Sequence, residues 1–424
     1  MRLFLLMFVF EPFLCFAQDT ISLQSCIDLL KKNERNFIEQ NYDLKSNTLN
    51  KNYHIYSALP NLSASTSLNT SFGRRIDPFT NTFTTSNVNS QSYGLSSSMG
   101  LFNGFTYFYK RNKFRNSLQI AENNYKKTEN EQIRSLIENY IQLCKTQLNI
   151  SISKKKISSI KKTQEIQSLL FKGGRISSVD TLKSFLSIKN EEITLNKLLT
   201  EKRLLEIDLN YKIGQPLNSV HSFTISTISN ISDQMLFNEF FELENAKLEL
   251  QNVTENFKIA KAAMLPSISL NGNIGTGFST NNKDYTLPGT PTKSYEDQLN
   301  QNLYESVGVY INVPIFSKGE NLKQQKLLAL KTDQLTESQK KIEVETIKKT
   351  TEIEQKIVSL TTEIALELEL LKTLQLVFDK TELLYQEGRV PYTDLEYTRI
   401  QLFDKEIKIE QLKVDLVFLK LQIR

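Results

Sequence analysis

The chain is 424 residues long and holds only 14 glycines and 9 prolines, most of them gathered in four short regions, so most of its length is free to run as uninterrupted helix. Its 52 basic and 47 acidic residues leave a formal net charge of +5, and they alternate along helix faces instead of collecting in one tract. That pattern reads as solvated helix surface and sets a nucleic-acid surface aside.

Met1-Arg2 followed by the apolar run Leu3 to Phe10 resembles a signal peptide, with Cys15-Phe16-Ala17 at the cleavage positions and a mature chain expected after Ala17. Glu11 and Pro12 interrupt the run, which argues against a spanning helix of about 20 apolar residues. Lipidation of Cys15 is the alternative, opposed by the bulky Leu14 before it. Cleavage leaves Cys26 and Cys144, too few for a disulfide framework in an exported chain.

A helix leads to Ala58-Leu59-Pro60 and then to a segment that alternates with period two. Leu62, Ala64, Thr66, Leu68, Thr70 and Phe72 share one face; Asn61, Ser63, Ser65, Ser67, Asn69 and Ser71 share the other. Beyond a polar loop, Gly73 to Gln91, a second segment sets Tyr93, Leu95, Ser97, Met99 and Leu101 against Ser92, Gly94, Ser96, Ser98 and Gly100. Thr106 to Phe171 contains neither proline nor glycine and is expected to be a helix of roughly 100 Å at 1.5 Å per residue. It ends in FKGGRISSVD, Phe171 to Asp180, from which another helix departs. Gly214 to Asp233 is rich in Ser, Asn and Pro and reads as a connector, with a short strand at Phe223 to Ile228.

The same order then recurs. Met264-Leu265-Pro266 opens a third alternating segment, Ile268, Leu270, Ile274 and Phe278 opposite Ser267, Ser269, Asn271, Asn273 and Gly275. After a polar loop, Ser279 to Tyr304, a fourth places Val307, Val309, Ile311, Val313 and Ile315 against Gly308, Tyr310 and Asn312. Glu320 to Glu387 is a second helix without Pro or Gly. Its apolar seam, Ile353, Ile357, Leu360, Ile364, Leu368 and Leu371, has coiled-coil spacing. YQEGRVPYTD, Tyr385 to Asp394, repeats the first glycine turn, and the last helix carries a seam at Ile409, Leu412, Leu416, Leu419 and Ile423. An internal duplication fixes the expected domains: leader 1–17, first repeat 18–214, connector 215–233 and second repeat 234–424.

Each alternating segment is about ten residues, enough for a tilted strand to cross a bilayer. A soluble sheet with one buried face would alternate too. Its solvent face would normally carry Lys and Glu to protect it, whereas here the second face is Ser, Asn, Thr and Gly, as in the wet lumen of a barrel. No stretch after the leader has the length of an apolar spanning helix, so membrane entry after export would be as a β-barrel. Four strands cannot close one, since the smallest single-chain barrels have eight, and several copies must pool theirs. Catalysis has little to stand on: His54 and His221 stand apart from metal-ligand spacing, and Gly272, Gly275 and Gly277 fall inside a strand, not a phosphate loop. No enzyme activity, cofactor or metal is expected.

Taken in order, and twice, these features resemble the TolC-type outer-membrane efflux and secretion channels. The resemblance implies a mainly α protomer with transmembrane β-strands, trimerising into a 12-stranded β-barrel on a periplasmic α-helical barrel. Pro60, Pro266 and Pro314 would mark its strand-to-helix transitions. The turns Gly174 to Asp180 and Gly388 to Asp394 would be the periplasmic tips of its helical hairpins, Gly174 and Gly388 supplying left-handed backbone. Asp394 matches an acidic position that narrows the family's pore. Where some members carry a second acid three residues on, this chain has Tyr397, so the resemblance implies an aromatic constriction there in place of a second acidic ring; Asp180 is the first-copy counterpart. Either aspartate also reads as a helix-start residue, worth up to about 1 kcal/mol through the helix dipole. Arg175 and Arg389 would meet an adaptor or simply be solvated. The implied partners are two further copies, a periplasmic adaptor, an inner-membrane transporter of the RND, ABC or MFS type, and outer-membrane lipid. A trimeric coiled-coil adhesin anchored in the outer membrane and a soluble helical scaffold are the competing readings.

Overall fold

The computed structural model describes residues 21–76, 81–85, 87–221, 238–284 and 286–423. The leader with Cys15 and Ala17, the short strand expected at Phe223 to Ile228 and the side chain of Ile423 lie outside them. The described residues fall into two compact units, one formed by Asn41–Asn124 and Glu242–Ile342, the other by the described parts of Met1–Gln40, Tyr125–Phe241 and Glu343–Arg424. Each unit draws on both halves of the sequence.

The first unit is built on an antiparallel sheet of β1 (Asn61–Ser71), β4 (Val88–Phe102), β5 (Ser267–Ser279) and β6 (Tyr304–Asn312), in the order β1-β4-β5-β6. A small hairpin, β2 (Arg75–Ile76) with β3 (Phe83–Thr84), lies between β1 and β4. Register decides what each face carries. Ser63 pairs with Ser96, Ser65 with Gly94 and Ser67 with Ser92; Gly94 pairs with Gly275 and Ser96 with Asn273; Asn273 pairs with Ser306. One face is thus mostly Ser, Asn and Gly, with Tyr304 and Tyr310 of β6 among them, and on it Ser63 and Ser67 share hydrogen bonds of 2.7 Å with Ser96 and Ser92. The opposite face gathers Ala64, Leu95, Ile274, Leu270 and Val309 in matching rows.

Two expected boundaries shift. The second strand begins at Val88, inside the stretch read as loop, because Asn89 and Ser90 continue the β1 ladder. The fourth runs Tyr304–Asn312, leaving Val313 and Ile315 outside, since Pro314 has no N–H to continue a ladder. The loop expected from Ser279 to Tyr304 contains a helix, α6 (Tyr295–Gln301). It is fastened to β5 by Asn302 Nδ2 donating to Gly277 O at 2.7 Å, and by Gln298, whose amide satisfies both backbone groups of Ser279 at 2.9 and 3.1 Å.

Helices α2 (Ile38–Tyr53) and α5 (Asn238–Ala262) precede β1 and β5 in the chain, and the long helices expected from the missing punctuation are present as α3 (Thr106–Lys172) and α7 (Glu320–Gln386). In the second unit, α3 packs with α1 (Leu23–Lys32), α4 (Ser178–Ile213) and α8 (Tyr392–Ile423). Leu23, Cys26, Ile27 and Leu30 of α1 meet Leu136, Ile137, Tyr140 and Leu143 of α3, together with Leu209 of α4 and Val414 of α8. Each such fully buried side chain contributes about 1.5–3 kcal/mol. Asn33 Nδ2 and Asn36 Nδ2 donate to Lys212 O at 3.1 and 2.9 Å, closing the last turn of α4.

The α7 seam departs from expectation at one point. Leu368 is 38% exposed, and Glu367 takes its place, accepting hydrogen bonds from Lys405 and Lys408 of α8 at 2.7 Å each. These bonds hold the Glu367 carboxyl below the usual carboxylate range. On α8, Val414 is buried, while Leu412, Leu416 and Leu419 are half-buried.

Burial pushes the thiols of Cys26 and Cys144 up to about 12, so both remain protonated and unreactive at neutral pH. Iodoacetamide at pH 8 is therefore expected to leave both cysteines unmodified in the folded protein and to alkylate both in denaturant, read by mass spectrometry. Native-state alkylation of either would contradict this core.

Candidate functional site

The two hairpin tips are built alike. Gly174 and Gly388 sit at φ +68° and +73°, the left-handed region that glycine enters without steric cost. Beside them, Arg175 N donates to Leu170 O and Arg389 N to Leu384 O, both at 2.9 Å, while Gly174 N and Gly388 N donate to Phe171 O and Tyr385 O, also at 2.9 Å. This paired closure of a helix end is a Schellman motif. Arg175 and Arg389 are both exposed at the tips, and Arg389 Nε lies 3.0 Å from Glu387 Oε2.

After the tips the copies diverge. Asp180 lies in the first turn of α4, its carboxylate 3.3 Å from the Ser177 Oγ donor and 3.7 Å from Lys183 Nζ. It is held locally, as a helix-start residue is. Asp394 lies in the first turn of α8, is exposed, and has Thr393 Oγ1 3.5 Å from its Oδ1. Tyr397, 63% exposed, follows one turn later.

Beneath these exposed residues lies a buried polar cluster that the sequence reading missed. Arg399 of α8 is 0% exposed. Its Nη1 donates to Glu396 Oε2 and its Nη2 to Thr163 Oγ1 of α3, both at 2.5 Å, and its guanidinium stands 6.0 Å from the Phe378 ring of α7. Ser184 Oγ of α4 donates to Gln167 Oε1 of α3 at 2.5 Å, fully buried. The buried phenols of Tyr385 and Tyr392 complete the group, their rings 6.2 Å apart, and burial pushes both phenols up. Four helices, two from each copy, thus meet around charge and hydroxyls where a coiled coil usually places aliphatic side chains.

The transition prolines occupy two kinds of place. Pro60 and Pro266 immediately precede β1 and β5, each after a matching turn: Leu59 N donates to Tyr56 O and Leu265 N to Ala262 O, both at 3.0 Å. Pro314 lies just past β6. The outgoing turns from strand to helix are made instead by paired left-handed residues, Gly104 and Phe105 before α3 and Lys318 and Gly319 before α7. At Gly104 a Cβ would stand 2.8 Å from Ala262 O, so the close approach also demands glycine.

The two histidines have structural partners. His54 stacks on Tyr107 at 4.6 Å, and His221 Nε2 is 3.1 Å from Asn210 Oδ1. Among the described residues no cluster of three or more His, Cys, Asp or Glu could hold a metal ion, and no helix is long and apolar enough to cross a membrane.

Removing one partner of a buried pair strands the other. Arg399→Ala is expected to destabilise the protein by about 3–5 kcal/mol, and the uncharged double variant Glu396→Gln/Arg399→Met to recover most of it, both read by chemical denaturation. A loss under about 1 kcal/mol for Arg399→Ala would contradict the cluster's role. At Gly388 no atom lies within 4 Å of the place a Cβ would occupy, so Gly388→Ala is expected to cost only the left-handed backbone strain, about 1 kcal/mol, on the same measurement.

A family model for outer membrane efflux proteins matches residues 234–417. No curated protein matches the chain. Among solved structures, CusC superposes with a TM-score of 0.80 at 15% identity, covering 95% of this chain and 91% of that one. The outer membrane protein VceC of Vibrio cholerae gives 0.77 at 14% identity, covering 95% and 94%, and the outer-membrane channel OprN gives 0.75 at 16%, covering 95% and 88%. The chain therefore has the fold of the outer-membrane proteins CusC, VceC and OprN, and its residues 234–417 match the family model for outer membrane efflux proteins.

Proposed function

We propose that the chain is one protomer of a homotrimeric exit duct in the outer membrane, serving efflux or type I secretion. The observation that carries this reading is the open, two-faced sheet: apolar on one side, Ser, Asn and Gly on the other, with β1 and β6 as free edges. Edges left open in lipid would strand a row of backbone donors and acceptors. Three copies pooling their strands would pair every edge in a 12-stranded barrel, with the polar face turned to water. Outside the sheet, apolar positions such as Leu182, Leu186 and Ile193 of α4 and Val344 and Ile347 of α7 are exposed in the single chain, which gives further surface for lateral association.

The adhesin reading asks for an anchor segment at one end of the chain. Here the central ladder, β4 with β5, joins the two halves, which favours the duct. Its energy would come from an inner-membrane transporter of the RND, ABC or MFS type, coupled through a periplasmic adaptor meeting the tips at Arg175 and Arg389. Of the two aspartates, Asp394 is the better candidate for the pore constriction, since its carboxylate is exposed while that of Asp180 is engaged by Ser177 and Lys183. A threefold ring of Asp394, with Tyr397 one turn behind, would select cations and narrow the exit.

Purified protein in planar bilayers tests this. The expected result is discrete, low-conductance, cation-selective openings that grow or lose selectivity in Asp394→Ala. Openings indifferent to the substitution would return Asp394 to a helix-start role, and well-folded trimers without channels would overturn the duct.

A further inference from the structure

The polar face of the sheet is small-chained along most of its rows, and two rows carry a tyrosine of β6, one of them laid closely over a glycine. Ser65 pairs with Gly94, Gly94 with Gly275, and Gly275 with Tyr304. Across four strands the row therefore reads serine, glycine, glycine, tyrosine. The Tyr304 ring does not stand away from the sheet. It lies over Gly275, where an added Cβ would stand 2.6 Å from its Cε1, Cζ and Oη. At Gly94 a Cβ would stand 3.1 Å from Ser65 Oγ, so this trough tolerates no added side chain without movement. Tyr304 is 57% exposed, and in the next row its neighbours are Asn273 and Ser306. The face's other tyrosine, Tyr310, approaches Gly308 more loosely, at 3.4 Å.

An aromatic ring laid over a strand glycine covers bare backbone and stabilises the pair. The same geometry has a second consequence if this face lines a lumen, the part of the proposed function on which the inference rests. A phenol that stood away from the wall would narrow the passage, and in a trimer it would do so at three points of one level. We propose that Gly275 and Tyr304 set the bore of the strand region: with glycine beneath it the ring lies along the wall, and any side chain at 275 lifts the ring into the path. Tyr304 is then the aromatic surface that uncharged solutes meet at this level, between hydroxyl and amide neighbours, and it discriminates by size. No Lys, Arg, Asp or Glu occupies the paired polar rows around it, so this level contributes no charge selection.

The test compares single-channel conductance, and the largest polyethylene glycol that enters from the barrel end, for the wild-type sheet, Gly275→Ala, Tyr304→Ala and the double variant, all carrying Asp394→Ala so that the tip does not limit the current. The methyl group of alanine is too small to obstruct by itself. Gly275→Ala is expected to lower conductance and the polymer size limit, and the double variant to restore both to wild-type values or above. An unchanged Gly275→Ala channel, or a fall that persists in the double variant, would overturn the proposal. Should Gly275→Ala fail to assemble, Tyr304→Cys keeps it testable: a water-soluble cationic methanethiosulfonate is expected to reduce the current, and an indifferent current would overturn it. A wild type that forms no channel at all sinks the duct reading itself, an outcome distinct from either.

Discussion

A strand edge carries a row of N–H and C=O groups that must find partners, and in hydrocarbon only another strand can supply them. The sheet β1-β4-β5-β6 has two such edges and too few strands to close on itself. The two faces sharpen the constraint: register brings Ser63, Ser96 and Asn273 together on one and Ala64, Leu95 and Ile274 on the other, so the sheet is prepared for water and lipid at once. The exposed apolar positions of α4 and α7 fit the same logic, as surface that further copies would cover in the proposed duct.

If closure is the demand at the sheet, registration is the demand at the hairpin tips. Arg399 reaches Thr163 across 236 residues of sequence, so the second copy's hairpin is keyed to the first by a charged group that tolerates little slippage. Its two terminal nitrogens find Glu396 and Thr163 in this arrangement, and shifting the helices would take those partners from a buried charge. Exposed Asp394 and Tyr397 lie on the first turns of the helix that carries Arg399, so their placement depends on this buried cluster.

Much of this was legible because the signals are periodic. Alternation with period two found all four long strands, and the lack of Pro and Gly found α3 and α7 nearly to the residue. The misses are instructive. In β6, Glu305 sits on the apolar face opposite Ile274, which broke the hydrophobic pattern and delayed the expected strand until Val307. In α7, strict heptad steps from Ile353 lead to 367, but hydrophobicity pointed to Leu368; the carboxylate is accepted there because Lys405 and Lys408 neutralise it. Helix α6 is seven residues long and too short for a period, and its anchor Gln298 depends on a strand partner. An arginine within a helix reads as solvated, and only the folded arrangement places Thr163 and Phe378 around Arg399. The tip glycines could be read directly, because left-handed backbone is a local demand.

The central claim is that the two faces of one strand meet different solvents. The most direct measurement is thiol accessibility along β1 in membrane-embedded protein, with single cysteines at 62, 63, 64, 65, 67 and 68 over the silent background of buried Cys26 and Cys144. The account predicts that a membrane-impermeant, water-soluble maleimide modifies positions 63, 65 and 67, while a lipid-phase probe finds 62, 64 and 68. Equal labelling at all six positions by the water-soluble reagent would contradict it, and would mark the sheet as a soluble one.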